Sequence, residues 1–187
     1  MKIAFTILTC FLALTGFPQN DSVAQQKIHF SSINAGGVLL GQSTNAAQLQ
    51  TINGISRGSY FAGVGVGLDY YFERTVPVFL DVRKQLFDKP NTPFLYADGG
   101  YQFVWLKEEN IFETEQKSGW FYDAGVGYQF PVARGVGMML SGGYSWKQYS
   151  KLVNVMPWSS VWPPPPGAFQ RYDYQLRRIS VKMGIIF

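Results

Sequence analysis

The last ten residues of the chain read Arg178-Ile179-Ser180-Val181-Lys182-Met183-Gly184-Ile185-Ile186-Phe187, and they decide the fold class. Every second residue is apolar, in the order Ile179, Val181, Met183, Ile185 and Phe187. The alternate positions are polar or small as far as Gly184, and Ile186 is the exception. This period of two predicts a β-strand with one apolar and one polar face. A soluble β-sandwich could show the same alternation, but a stripe that ends on an aromatic terminal residue favours a membrane strand.

A second alternating stretch covers residues 60–72. Apolar residues from Ala62 to Phe72 alternate there with Gly63, Gly65, Gly67 and Asp69. The spacing of the glycines, at every second residue and without a following helix, argues against a phosphate-binding loop. Glycines on the inner face of a narrow barrel instead leave room for larger side chains opposite.

An internal echo suggests how the strands are connected. Residues 60–80 and 120–140 align without gaps, and each copy reads as strand, short turn, strand, which predicts two hairpins in the same orientation. We place the turns 73–75 and 131–134 at the end that holds both termini. The connections 42–47, 88–92, 115–117 and 150–170 then lie at the opposite end. The predicted strands are 27–41, 48–72, 75–87, 93–104, 105–114, 118–130, 135–149 and 171–187.

These eight strands predict an all-β fold, an eight-stranded antiparallel up-and-down transmembrane β-barrel. Aromatic residues near the predicted strand ends support a membrane location, because amphipathic rings favour the headgroup layer. They include Tyr70, Phe72, Trp120, Tyr122, Tyr128, Phe130, Tyr144 and Trp146.

The N-terminus has the pattern of a secretory signal peptide. Lys2 precedes a short apolar run, and Ser22-Val23-Ala24 places small residues before a cleavage site after Ala24. We therefore expect a signal peptide at residues 1–24 and a barrel domain at residues 25–187. The single cysteine, Cys10, falls within the leader, so neither disulfides nor thiolate chemistry are expected in the mature chain.

Composition narrows the function classes. The chain has 187 residues, of which 47% are hydrophobic and 17% aromatic, so it is not a disordered protein. The formal net charge is only +4, and the cations form no basic stripe, so nucleic acid is not an expected partner.

The chain resembles the small outer-membrane β-barrels of Gram-negative bacteria, of the OmpA/OmpX-like, porin-family type. The most specific segments are the terminal strand, Gly65-Val66-Gly67-Leu68-Asp69-Tyr70-Tyr71 and Tyr96-Ala97-Asp98-Gly99-Gly100. The resemblance implies export to the outer membrane, contact with lipid and lipopolysaccharide, and a monomer. It also implies that the barrel-assembly machinery recognises Ile179, Val181, Met183, Ile185 and Phe187.

Eight charged residues are predicted to point into the barrel, since their positions alternate with the apolar stripe of each strand. They are Asp69, Asp81, Arg83, Asp98, Asp123, Lys147, Arg178 and Lys182. An eight-stranded barrel is barely wide enough for its own side chains, so these charges should pair. A salt-bridged plug is the favoured interpretation, and a narrow ion path or proton-responsive gate is the alternative.

No catalytic, metal or cofactor site is predicted. His29 is the one histidine, and a lipid hydrolase that uses it with a nearby serine is possible, but no Gly-x-Ser-x-Gly motif accompanies it. A metal site lacks ligands, because the mature chain offers neither cysteine nor a second histidine.

The long segment 150–170 is the candidate for an outward function. Trp158 and Trp162 precede four consecutive prolines there, which favour an extended, stiff conformation. The tryptophans could contact lipopolysaccharide, a partner protein or a phage, or they could pack on neighbouring loops. We expect a non-enzymatic structural or surface-interaction barrel. A small channel or transport barrel, a lipid hydrolase and a soluble lipocalin-like barrel are the alternatives.

Overall fold

In the part of the chain that the computed structural model describes, every regular element is a β-strand. No helix in the part that it describes is long and apolar enough to cross a membrane. The described residues are 27–41, 44–70, 74–105, 113–117, 119–155 and 168–187. The strands are β1 (Ile28–Leu40), β2 (Asn45–Arg57), β3 (Tyr60–Asp69), β4 (Thr75–Gln85), β5 (Thr92–Val104), β6 (Glu113–Lys117), β7 (Gly119–Ala133), β8 (Val136–Val155) and β9 (Ala168–Ile186).

The strands form one closed antiparallel ring. From β1 to β5 neighbours in sequence pair with each other, and β9 pairs with both β8 and β1, which closes the sheet. The short strand β6 and the longer β7 both pair with β8 and adjoin in sequence, so together they occupy one position in the ring. The barrel therefore has eight strand positions, which confirms the predicted eight-stranded up-and-down fold.

The predicted strand 48–72 is wrong, because the chain reverses in its middle. β2 ends at Arg57 and β3 begins at Tyr60, joined by the two-residue turn Gly58-Ser59. Gly58 has a φ of 58°, a conformation that costs a residue with a Cβ on the order of 1–2 kcal/mol. This glycine is what permits the tight hairpin.

The predicted strand 105–114 is also wrong. β5 ends at Val104, and the next strand begins at Glu113, so residues 115–117, predicted as a connection, lie within β6. This surplus strand compensated for the missed reversal at Gly58 and left the total at eight.

The two errors placed some turns at the wrong end of the barrel. The start of β1 and the end of β9 share one end with the connections 58–59, 86–91 and 134–135, which we call the turn end. The other end, the loop end, is where β1, β3, β5 and β8 end and where β2, β4, β6 and β9 begin. β3 therefore ends and β4 begins at the loop end, whereas turn 73–75 was predicted at the end that holds the termini; the connection 88–92 lies at the turn end, also opposite to prediction. The two echoed hairpins consequently point in opposite directions.

Side chains alternate between the two faces of the wall. In β9 the apolar residues Ile179 to Ile185 are exposed, whereas Arg178, Ser180 and Lys182 are buried inside. Ile186, the exception in the sequence pattern, packs against the apolar core of the interior. Phe187 is exposed, and its backbone exchanges two hydrogen bonds with Ser32 of β1, of 2.9 and 3.0 Å.

The hairpin of β8 and β9 is longer than the rest of the wall. β8 has 20 residues, whereas about 9–11 residues of a tilted strand cross a membrane. The two strands stay paired as far as Val155 and Ala168, while β1 ends opposite Ile179. A two-stranded ribbon, joined by β6, therefore projects beyond the loop end.

Candidate functional site

The candidate site is the barrel interior, which holds an unusual concentration of charge. The structure places all eight predicted inward residues there, and each is at most 8% exposed. Four are aspartates and four are cations, so the formal charges of this set cancel. They are Asp69, Asp81, Arg83, Asp98, Asp123, Lys147, Arg178 and Lys182.

Three of the aspartates stand side by side. Asp81 of β4 is the register partner of Asp98 in β5, and Asp98 is the register partner of Asp123 in β7. Like charges directly opposite each other on neighbouring strands destabilise a sheet unless they are compensated. This row of carboxylates therefore requires cations in contact with it, and Arg83 and Lys182 supply them.

Arg83 neutralises Asp81 from the same strand, two positions away. Its Nε and Nη2 donate to the Asp81 carboxylate over distances between 2.8 and 3.0 Å. Its Nη1 lies 2.8 Å from the sulfur of Met139. The guanidinium also lies 5.4 Å from the ring centre of Phe94, within cation–π range. The packing thus fixes Arg83 in a single orientation.

Lys182 reaches the other two aspartates from β9. Its Nζ donates to Asp98 Oδ2 and to Asp123 Oδ2, both at 3.2 Å, and lies 4.3 Å from the ring centre of Tyr96. The remaining oxygen of Asp123 accepts hydrogen bonds from the hydroxyls of Tyr96 and Ser180, each at 3.0 Å. One lysine therefore links two neighbouring strands on the far side of the interior.

A second cluster lies nearer the loop end. Lys147 of β8 is paired with Asp69 of β3, and Asp69 also accepts a hydrogen bond of 2.7 Å from the Thr75 hydroxyl. The Lys147 ammonium lies 4.9 Å from the ring centre of Phe121. Arg178 stands at the rim, where it donates a 3.1 Å hydrogen bond to Thr44 at the end of the first loop.

Apolar side chains fill the interior on the turn-end side of the carboxylate row and also between that row and Lys147. Phe79 and Phe121 meet edge to face with ring centres 5.6 Å apart. A Cβ at Gly65 would collide with the Phe79 ring, and one at Gly127 would collide with the Phe94 ring. Because the inner glycines have no side chain, they leave the space that these rings occupy. At the turn end a recess of about 80 Å³ remains, with Arg83, Phe61 and Phe94 among its lining residues.

A third polar group lies outside the barrel, on the projecting hairpin. The Ser150 hydroxyl donates a 2.5 Å hydrogen bond to Asp173, and Arg171 donates one of 3.1 Å. The hydrogen bond from Ser150, together with the nearby guanidinium, holds the pKa of Asp173 below its ordinary value. The hydrogen bond between Ser150 and Asp173 joins β8 to β9 within the ribbon.

The remaining candidates are a metal centre and a hydrolase site at His29. No group of three or more potential metal ligands is found among the residues that the structure describes. His29 is exposed near the turn end, and its register partner is Ser56. The Ser56 hydroxyl lies 3.2 Å from that of Ser31, so these two serines pair with each other.

Comparisons with known proteins bear on the fold. No protein-family model matches the chain, and no curated protein matches it. It is similar in structure to the outer membrane protein OprG from Pseudomonas aeruginosa, with a TM-score of 0.53 and 9% identity over 84% of this chain and 94% of that one. A major outer membrane protein from Thermus thermophilus matches with a TM-score of 0.47 and 12% identity, over 86% of this chain and 99% of that one. The fold is that of the small outer-membrane β-barrels.

Some predicted features lie outside the described residues. These are the signal peptide at residues 1–24 with its cleavage site, and the loop tryptophans Trp158 and Trp162. Conversely, sequence reasoning missed Thr75, Tyr96 and Ser180, which complete the hydrogen bonding of two buried aspartates. Strand alternation alone could have identified Tyr96 and Ser180, because both share the inward parity of Asp98 and Lys182.

Proposed function

We propose that this protein is an integral outer-membrane β-barrel with a closed interior, and that it serves a structural or surface-interaction role. The observation that carries the proposal is the reversed distribution of polarity between the two faces of the wall. Outward residues such as Val126 and Leu80 are 60% and 64% exposed, whereas Asp81 and Lys147 are 0% and 1% exposed. A wall that is apolar outside and charged inside suits lipid as the surrounding solvent.

The paired charges support a plug in preference to a pore. Each buried aspartate contacts a cation, and aromatic rings fill the space around these pairs. Breaking such a pair exposes an uncompensated buried charge at a cost of about 3–5 kcal/mol, which resists opening. The recess at the turn end favours a small channel as the second candidate, because it leads from that end to Arg83.

The projecting hairpin supports a role at the cell surface. Short turns face the periplasm and longer loops face outward in barrels of this class. The loop end of this barrel is then extracellular, and the paired ends of β8 and β9 extend away from the membrane there. In this proposal Trp158 and Trp162 present apolar surface to lipopolysaccharide or to an extracellular protein.

Assembly and catalysis complete the proposal. We infer that the exposed stripe from Ile179 to Phe187 serves as the assembly signal and that the chain acts as a monomer after cleavage near Ala24. Catalysis is not part of the proposed function, because His29 has neither an acidic partner nor a positioned nucleophile among the described residues.

Two measurements test the proposal. The membrane-extracted protein should migrate differently on gels with and without boiling, since a closed barrel resists detergent; identical migration would refute the integral barrel. In planar bilayers we expect no steady conductance. Single-channel steps that disappear when Asp81 or Arg83 is substituted would show that the interior is a channel and not a plug. Lipid hydrolysis that is lost when His29 is substituted would show that the protein is an enzyme and would refute the structural role.

A further inference from the structure

We propose that the outer wall carries a specific site for one molecule of a phosphorylated glycolipid of the outer leaflet, the lipid A part of lipopolysaccharide. The site is an apolar groove across β3, β4, β5, β7 and β8, and Arg177 of β9 lies beside it as the register partner of Trp146. This inference rests on the proposed outer-membrane location and goes beyond it, since it names the lipid and the residues that hold it.

The groove exists because a glycine faces outward between large side chains. Gly99 of β5 has Leu80 of β4 and Tyr122 of β7 as its register partners, and both of these side chains project from the wall. Around the position of a Cβ at Gly99 there is open space within 4 Å. The resulting groove has a volume of about 740 Å³, and apolar atoms dominate its surface. Its occupant in a membrane must therefore be an acyl chain.

Two aromatic pairs form the walls of the groove. Tyr101 and Trp120 meet edge to face with ring centres 5.7 Å apart, and Tyr122 and Trp146 stack with ring centres 4.7 Å apart. These contacts hold the rings in fixed positions, so little side-chain entropy is lost when a lipid binds. Tyrosine and tryptophan also mark the boundary between acyl chains and headgroups. The groove thus lies where the upper acyl region meets the headgroup.

Arg177 supplies the charge that distinguishes a phosphorylated lipid. It is the register partner of Trp146, it faces outward, and it is exposed. Gln148, which lines the groove, has Gln175 as its register partner one row closer to the loop end. A guanidinium and two amides beside an acyl groove complement a phosphate on a sugar headgroup. A second outer groove, which Leu49, Thr51 and Val66 help to line, has no aromatic ring in its lining.

Native mass spectrometry of the folded barrel in detergent tests the site. The probes are lipid A that carries both phosphates and lipid A from which one phosphate has been removed. We expect the wild-type barrel to retain one molecule of the doubly phosphorylated lipid. Arg177→Gln should weaken that binding about tenfold and abolish the preference between the two lipids, because a charge-assisted contact is lost. Gly99→Trp should fill the groove and weaken the binding of both lipids.

Matched controls separate this site from general adhesion of lipid. Thr51→Trp fills the second groove, and Arg57→Gln removes an exposed cation at the turn end; both should bind lipid A as the wild type does. Equal binding by wild type, Arg177→Gln and Gly99→Trp would overturn the inference. A loss of lipid A binding in the two control variants equal to that in Arg177→Gln and Gly99→Trp would also overturn it. If the wild type folds as a heat-modifiable barrel yet shows no preference for the phosphorylated lipid, only this inference fails. If it does not fold as a barrel in detergent, the proposed function fails as well.

Discussion

Replacing Lys182 by methionine would remove the ammonium that contacts both Asp98 and Asp123, and would leave the length of the side chain nearly unchanged. The two carboxylates are register partners, and each is at most 3% exposed. Neither could reach another cation without a change in the wall, because Arg83 is held on Asp81 and Lys147 on Asp69. Breaking a buried charge pair from one side costs about 3–5 kcal/mol.

Urea unfolding in detergent micelles, followed by tryptophan fluorescence, measures this cost. With m-values of about 1–3 kcal/mol/M, a loss of that size lowers the midpoint by at least about 1 M. Lys84→Met is the matched control, because Lys84 is an exposed lysine on β4 and should change the midpoint little. Adding Asp98→Asn and Asp123→Asn to Lys182→Met should restore much of the stability, because no uncompensated charge remains. A Lys182→Met midpoint equal to that of the control would refute this account of the interior.

Three further predictions concern packing, the first turn and assembly. Gly65→Val places a side chain against the Phe79 ring, so we expect a loss of about 1–3 kcal/mol, and an unchanged urea midpoint would contradict the packing. Gly58→Val should lose about 1–2 kcal/mol because φ is positive there, whereas Gly58→Asn should retain most of the stability; equal midpoints for these two variants would argue against the turn geometry. Deleting Phe187 should reduce the heat-modifiable barrel recovered from cell membranes severalfold while refolding in detergent proceeds, and unchanged recovery would remove Phe187 from the assembly signal.

Strand identity and the direction of side chains could be predicted from the sequence. Alternation is a local property, so Ile179 to Phe187 were placed on the outer face and Asp69 and Asp98 on the inner face without knowledge of their neighbours. The same local pattern predicts that the glycines between Ala62 and Asp69 lie on the inner face of the wall. Each assignment depends only on the parity of positions within one strand.

The direction of each strand could not be predicted so safely, because it depends on the number of reversals that precede it. Missing the turn at Gly58 inverted the predicted direction from β3 to β5, and the surplus strand 105–114 restored it for β7 to β9. The predicted strand 48–72 far exceeds the span of a membrane, and Gly58 lies near its middle. Strand length alone does not reveal the first error, because an outward projection of the first half of strand 48–72, as a hairpin with the end of strand one, also explains the excess.

The sequence pattern also could not predict which inner charges pair with each other. The reason indicates that these charges fix the register of the strands. The apolar stripe fixes which face of a strand meets lipid, but a slip of two residues preserves that face. Such a slip would move Lys182 by about 7 Å along the barrel, far from the 3.2 Å contacts that it makes with Asp98 and Asp123. The two carboxylates would then lie buried without their cation. The stripe therefore selects the parity of β9, and the buried charges select its register.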